Sequence, residues 1–268
     1  MSDTVETRRR RLRLRLRRKQ RRREVAMSVV DHLSELRSRI IVSLVAFVGL
    51  SIAAFFFYDP LLDLLTKPLC QVPDRLLGPT GCQLNVIGVT EGFQFRLKLT
   101  ALAGLAVASP VWVYELYSFI IPALTPKEKR YSIPFLLSSV TLFVLGFVFA
   151  YVTLPKGVEF LIALGGQGLN PILTAEKYLN FVGLVLIAFG VTFQLPLLLI
   201  FLGLVGAISV EQLRRNRKVA LVGIFALSAV VTPSQDPYTM SIMAVPLYAL
   251  YEVTIVILKR VKKVPKET

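Results

Sequence analysis

The sequence predicts an all-α membrane protein with six transmembrane helices. Of its 268 residues 54% are hydrophobic and the mean hydropathy is +0.61, yet 32 Lys and Arg stand against 17 Asp and Glu. Apolar and basic residues must therefore be segregated along the chain, which is typical of a membrane protein. The apolar runs are about as long as a bilayer core is thick, and in hydrocarbon a helix satisfies its own backbone hydrogen bonds.

Each predicted helix is an apolar segment bounded by charged residues or by Pro and Gly. The segments are Ile40 to Phe57, Leu97 to Ile121, Ile133 to Leu154, Tyr178 to Gly206, Val219 to Val231 and Met240 to Leu258. The first is long enough to span and lacks a small-residue cleavage site, so we interpret it as a retained helix. The last two are expected to be short, since the 13 residues of the fifth reach about 20 Å against a core of about 30 Å.

Basic residues distinguish the two sides of the membrane. With the amino terminus inside, the inner segments hold 26 Lys and Arg and the outer segments hold 4. The positive-inside rule therefore predicts a multi-pass membrane protein with both termini in the cytoplasm. Residues 1–26 form a basic extension expected to be disordered, residues 27–260 the transmembrane domain, and residues 261–268 a basic tail. Met27 offers an alternative start of the chain.

The net charge of +15 does not require a nucleic acid partner. Fourteen of the basic residues precede residue 40 and adjoin the first spanning segment. Contact with anionic membrane lipids is the simpler explanation of such a tract.

The sequence contains no motif typical of an enzyme. Zinc-protease, serine-hydrolase, P-loop and dinucleotide-binding patterns are all missing. With two cysteines and one histidine, a metal site of clustered Cys and His is excluded, and no cofactor is expected. Cys70 and Cys82 both fall in the predicted outer loop, where they either form a disulfide that closes 13 residues or stay as two thiols.

Four ionisable or polar residues lie where a membrane makes them costly, namely Glu35, Glu128, Gln194 and Asp236. Glu35 precedes Arg39 by one helical turn, so it is either a functional carboxylate or half of an ordinary ion pair on a solvated face. Glu128 is either functional or the third helical residue of a capping box that begins at Thr125, with Pro126 in the first helical position.

The other two residues also have structural interpretations. Gln194 lies near the middle of the fourth helix, where Pro196 frees a backbone carbonyl, so its amide needs a partner inside the bundle or outside it. Asp236 precedes Pro237 between the last two helices and is most simply a turn residue.

Six motifs together resemble the TatC family of twin-arginine translocase subunits. They are HLSELRSR, the KPL around Pro68, SPVWVYELYSFIIPALTPKEKR, FAYVTLP, FGVTFQLP and TPSQDP, and they lie in the family's order between about Ser28 and Arg260. The resemblance implies a concave six-helix bundle in the bacterial inner membrane. It also implies an oligomeric assembly with TatA- and TatB-type single-span subunits, which exports folded proteins with twin-arginine signal peptides and uses the proton-motive force.

The resemblance further implies a signal-peptide site. Glu35 and Glu128 match two cytoplasmic carboxylates that engage the arginine pair, and Arg37 and Phe119 match positions assigned to the same site. The chemistry agrees, because a planar guanidinium binds a carboxylate through two parallel hydrogen bonds and Lys does not reproduce this geometry.

Other matched positions have less defined roles. Pro68, Pro110 and Asp236 match residues on which family members depend, although the loop at Asp236 is one residue longer than in some relatives. Gln194 departs from the pattern, since many relatives have Glu there. Its amide keeps the hydrogen bonding, and we expect it to dock a transmembrane helix of a partner subunit.

Two other functions remain open from the sequence. A secondary transporter of a small solute would use Gln194 and Glu252 as groups at the membrane midplane, although the chain has no internal repeat. A passive membrane anchor would need neither cytoplasmic carboxylate.

Overall fold

The structure is a computed structural model that describes residues 29–78, 81–120, 132–166, 172–231 and 236–263. Within these ranges the regular elements are helices, and the single β-type contact is an isolated parallel bridge between Asn85 and Thr174. The prediction of an all-α chain is therefore confirmed for the part that the structure describes. The basic extension at residues 1–26 lies outside it, as do residues 264–268 of the basic tail.

The first helix, α1, runs without interruption over Val29–Phe56. The first predicted span, Ile40 to Phe57, is thus the second part of a longer helix, and no proline interrupts it. Most of the large apolar side chains of α1 are exposed on the protein surface. Such a surface is expected for a helix whose apolar side faces lipid rather than the protein core.

A compact cap follows α1. It consists of α2 (Tyr58–Thr66), a 3-10 turn (Leu69–Gln71) and α3 (Asp74–Leu77). Pro68 is fully buried at the joint between α2 and the 3-10 turn, and Leu69 beside it is also fully buried. Cys70 and Cys82 are joined by a disulfide, with their Cα atoms 4.9 Å apart.

The second predicted helix is bent. It forms α4 (Glu91–Val107) and α5 (Ser109–Ile120), whose axes differ by 52° across Ala108. Pro110 explains the break, because a proline lacks the backbone N–H that would bond to the preceding turn. The indole Nε1 of Trp112 donates to the carbonyl of Leu105 at 3.3 Å and so satisfies an acceptor beside the bend.

The third predicted helix is longer than expected, and the fourth is divided in two. The third is α6 (Ser132–Leu164), and the fourth divides into α7 (Ala175–Thr192) and α8 (Leu195–Leu204). Helices α6 and α7 approach closely where Gly190 meets the Phe143 ring, since a Cβ on that glycine would lie 2.6 Å from the ring. Small residues permit such close contacts between membrane helices.

The last helices are α9 (Val210–Arg215), α10 (Arg217–Val231) and α11 (Pro237–Lys263). The fifth predicted helix, α10, has 15 residues and reaches about 22 Å, so it is short as expected. The expectation that the sixth is short is wrong, because α11 has 27 residues. The predicted segment ends before Lys259 and Arg260 because it is defined by hydropathy alone. The helix continues through both basic residues.

Four helical segments among the described residues are long and apolar enough to cross a membrane: Leu33–Phe56, Ile133–Leu164, Ala175–Leu204 and Pro237–Arg260. The third of them combines α7 and α8. The bent pair α4 and α5 is a fifth candidate if it counts as one span. The sixth crossing, through α10, stays a prediction.

Long-range contacts define the two ends of the bundle. At one end, which we call the cap end, the Tyr151 hydroxyl donates to the Leu64 carbonyl at 2.8 Å. The ring of Phe160 stacks there on Tyr238 at the start of α11, with centroids 4.5 Å apart. We call the opposite end the basic end, because α1, α9, α10 and α11 each bring Arg or Lys to it. The main core lies between the cap and helices α6, α7 and α11.

Candidate functional site

Three charged side chains meet at the basic end, and we call them the charged triad: Glu35, Arg39 and Glu115. Arg39 Nη2 donates to Glu35 Oε1 at 2.5 Å and its Nε donates to the same oxygen at 3.1 Å. Arg39 Nη1 donates to Glu115 Oε2 at 2.9 Å. Glu35 and Arg39 belong to α1 and Glu115 to α5, so the triad joins the first helix to the bent second one.

The environment of the triad differs from that of an ordinary surface ion pair. The side chains of Glu35, Arg39 and Glu115 are 24%, 23% and 14% exposed. The predicted pairing between residues four apart is present, but it does not lie on a fully solvated face. Ionic hydrogen bonds in such a partly dehydrated place are stronger than those in open water, and an unpaired charge there is costly.

The other residues assigned to the signal-peptide site are described only in part. Arg37 is exposed on α1, on a different face from Glu35 and Arg39. Phe119 is partly buried and lies one turn after Glu115 on the same side of α5. Glu128 lies outside the described residues, as does its capping-box alternative.

The two matched prolines have structural positions. Pro110 lies at the bend between α4 and α5, and the bend sets the direction in which α5 carries Glu115 toward α1. Pro68 is buried in the cap, at the opposite end from the triad. Pro110 therefore belongs to the helix that carries Glu115, whereas Pro68 lies at the other end of the bundle.

Gln194 lies at the break between α7 and α8 and is bonded to one residue of α6. Its Nε2 donates to the backbone carbonyl of Ser139 at 3.1 Å, and the Ser139 hydroxyl donates to its Oε1. Ser139 is fully buried, so both ends of the amide have a partner inside the bundle. The helix breaks here because Pro196 cannot donate a hydrogen bond to the preceding turn.

Asp236 caps the last helix rather than simply forming a turn. Its Oδ1 accepts a hydrogen bond from the backbone N–H of Thr239 at 2.8 Å, and its Oδ2 accepts one from the Thr239 hydroxyl at 2.5 Å. Pro237 occupies the first helical position, which suits a residue without a backbone N–H. Sequence analysis missed this role, although an Asp-Pro pair followed by an apolar run is a helix-start signal.

Glu252, a midplane group in the transporter alternative, is paired near the basic end. Arg217 Nη2 donates to its Oε2 at 2.7 Å, and the Tyr248 hydroxyl donates to its Oε1 at 3.2 Å. Arg217 belongs to α10, so this contact ties α10 to α11.

Glu115 was not identified from the sequence. It lies inside the predicted second helix, Leu97 to Ile121, and an acidic residue within an apolar span is itself the signal that could have found it. What the sequence could not supply is its partner, because Arg39 lies 76 positions away on another helix.

A family model described as Sec-independent protein translocase protein (TatC) matches residues 31–246. Proteins with that name include one from Frankia casuarinae, which is 40% identical over 237 residues that make up 86% of this chain and 65% of the relative. Another, from Carboxydothermus hydrogenoformans, is 37% identical over 242 residues, which are 90% of this chain and 96% of the relative.

The chain spans 65% and 60% of the relatives from Frankia casuarinae and Corynebacterium kroppenstedtii, but nearly all of the Carboxydothermus relative. Two crystal structures described as the twin arginine translocase receptor TatC have the same fold. One has a TM-score of 0.70 and 36% identity, over 87% of this chain and all of that one. The other, in DDM, has a TM-score of 0.71 and 37% identity, over 84% of this chain and 98% of that one.

Proposed function

Because this chain belongs to the TatC family of Sec-independent protein translocase proteins, we propose that it binds the twin-arginine signal peptides of folded proteins. As a family member it is a membrane component of protein transport rather than an enzyme. The observation that carries the proposal is the partly buried carboxylate of Glu35, held at the end of the bundle that is rich in Arg and Lys. Glu128 supplies the second carboxylate.

The proposal includes an orientation and a set of partners. The basic end faces the cytoplasm, because inner segments of membrane proteins carry the excess of Lys and Arg. Six crossings, with α10 as the short one, then leave both termini inside the bacterial inner membrane. Single-span TatA- and TatB-type subunits complete an oligomeric assembly driven by the proton-motive force, and Gln194 contributes to docking one of their helices.

Energetics support a receptor for arginine rather than for any cation. Each charge-assisted bond between a carboxylate and a guanidinium contributes about 1.5 to 3 kcal/mol. Loss of one carboxylate should then weaken peptide binding by roughly tenfold or more, since about 1.4 kcal/mol corresponds to a factor of ten. Replacing the arginine pair with Lys-Lys should have a comparable effect, because an ammonium cannot bind both oxygens in a planar fork.

The test measures the affinity of the purified protein for a fluorescent signal peptide that carries either Arg-Arg or Lys-Lys. We expect the parent to prefer the Arg-Arg peptide and both Glu35→Gln and Glu128→Gln to lose most of that preference. Glu211→Gln is the matched control, since Glu211 is an exposed acid of α9 near the basic end and its removal changes the charge equally.

Expression and thermal unfolding separate binding from capping. If Glu128 acts only as a capping residue, Glu128→Gln lowers stability or expression, and the folded protein keeps its affinity. Parent-like binding of the Arg-Arg peptide by both Gln variants would contradict the site assignment. A parent protein that binds both peptides equally would contradict the proposed function itself.

A further inference from the structure

Arg39 is already bonded to the carboxylate that the signal peptide needs. Two of its donors reach the same oxygen of Glu35, and a third reaches Glu115 on another helix. A guanidinium of the peptide that approaches Glu35 therefore meets an acid that a resident arginine has neutralised. The peptide must either share that carboxylate or displace Arg39 from it.

Displacement would be costly if Arg39 had no second partner. Its side chain is 23% exposed, and an unpaired cation in such a place loses water without gaining a counter-charge. Glu115 removes this cost, because it is the least exposed member of the triad and already accepts a hydrogen bond from Arg39. A small rotation of the Arg39 side chain would let Glu115 accept two parallel bonds instead of one.

The charge of the triad fits one additional guanidinium. Two carboxylates and one guanidinium leave a net charge of −1, so an incoming arginine makes the group neutral. If Glu115 were replaced by an uncharged residue, the incoming arginine would place two guanidinium groups against a single carboxylate. Like charges crowded in a partly dehydrated place repel each other strongly.

We propose that Glu115 is a positioning residue for signal-peptide binding: it accepts the hydrogen bonds of Arg39 when the peptide arrives and thereby frees Glu35 to bind the peptide's arginine. We call this exchange of partners the handover. This inference rests on the proposed function. Glu115 acts through Arg39 and need not contact the peptide. The handover predicts that the effect of losing Glu115 depends on whether Arg39 is present.

A double-mutant cycle tests this dependence with the purified full chain and the Arg-Arg and Lys-Lys peptides. Glu115→Gln should weaken binding of the Arg-Arg peptide by roughly tenfold, because Arg39 then stays on Glu35. Arg39→Gln should bind at least as tightly as the parent, since Glu35 has no competitor. The double variant E115Q/R39Q should bind like Arg39→Gln, so the loss disappears when the competitor is removed.

Two control variants and one alternative comparison accompany the cycle. Glu211→Gln removes one negative charge near the same end and should leave the affinity unchanged. Glu115→Asp keeps the charge and should restore most of the affinity lost in Glu115→Gln. If Glu115→Gln unfolds, Glu115→Asp and Arg39→Gln still test the handover. The handover predicts that Glu115→Asp binds the Arg-Arg peptide nearly as tightly as the parent and that Arg39→Gln loses no affinity.

Two results would overturn the inference while the proposed function stands. One is parent-like binding by Glu115→Gln in a protein that loses affinity in Glu35→Gln. The other is a loss in Glu115→Gln that persists in the double variant, which would show that Glu115 does not act through Arg39. Equal binding of the two peptides by the parent would instead remove the proposed function on which the inference rests.

Discussion

The two ends of the bundle hold their polar groups in different ways. At the cap end three of the contacts between distant segments are covalent or involve the backbone. They are the disulfide, the Asn85 N–H donating to the Leu173 carbonyl at 2.9 Å, and the Tyr178 hydroxyl donating to the Leu65 carbonyl at 3.1 Å. An ion pair between Lys98 and Glu176 adds a side-chain contact there. At the basic end, α1 meets α5 through the side-chain charges of the triad. A backbone partner is fixed, whereas a charged side chain can exchange its partner for a ligand. The fixed contacts of the cap end hold its segments together, and we propose that the exchangeable contacts of the basic end serve ligand recognition.

The largest expected effect comes from removing the disulfide at the cap end. The double substitution of Cys70→Ser and Cys82→Ser should lower the free energy of unfolding by about 3 kcal/mol, as the chain-entropy model gives for a loop of this length. Peptide affinity at the basic end should not change. Unfolding in detergent, with and without reductant, measures the first effect, and the peptide titration measures the second.

Oxidised and reduced protein provide the check on that prediction. An unfolding midpoint of the parent that does not respond to reductant would contradict a bracing role for the disulfide. Alkylation of two free thiols in protein from intact, oxidising cells would show that the bridge does not form there. A fall in peptide affinity in the double Ser variant would break the separation between the two ends.

A smaller effect is expected from the cap of α11. Asp236→Ala removes the acceptor for the Thr239 N–H and should cost about 1 kcal/mol of stability. Asp236→Ser keeps a capping oxygen and should retain most of the stability, measured by thermal unfolding of both variants. If the Ser variant is stable yet fails to bind or export, Asp236 has a role beyond capping and the cap end takes part in function.

The smallest effect concerns Gln194 and Ser139, in the half of the bundle toward the basic end. A side-chain hydrogen bond between membrane helices contributes about 0.6 kcal/mol on average. Ser139→Ala should lower stability by about that amount, because it removes only the bond from the Ser139 hydroxyl. Gln194→Leu should lower it somewhat more, because it also removes the bond to the Ser139 carbonyl. Gln194→Leu should in addition weaken crosslinking to a single-span partner. If Gln194→Leu and Ser139→Ala crosslink to the partner equally well, Gln194 acts only inside the bundle.

Hydropathy and charge predicted the fold better than they predicted the limits of its helices. The apolar segments and their order are found in the structure, because burial in lipid demands long helices. The division of the second segment at Ala108 and of the fourth at Gln194 follows from Pro110 and Pro196, which sequence reasoning noted without placing a break. The length of α11 was missed because its helix continues beyond the apolar stretch.

The candidate site was only partly predictable. Glu35 and its pairing with Arg39 follow from helical spacing, since both residues lie on one helix. Glu115 required knowledge of how α5 packs on α1, and no local pattern contains that information. The capping by Asp236 was local and could have been predicted from the Asp-Pro pair.

The bridge between the loops of the cap end has a consequence for the order of biogenesis. Asn85 bonds to Leu173, and the two are 88 positions apart, so all of α4, α5 and α6 lies between them. At a synthesis rate of about 5 to 20 residues per second, roughly 4 to 18 seconds separate the appearance of the two partners at the ribosome. During that interval the early part of the cap, which contains Asn85, lacks its partner Leu173 while α4, α5 and α6 are being made. The contact between Asn85 and Leu173 can therefore form only after α6 has been made.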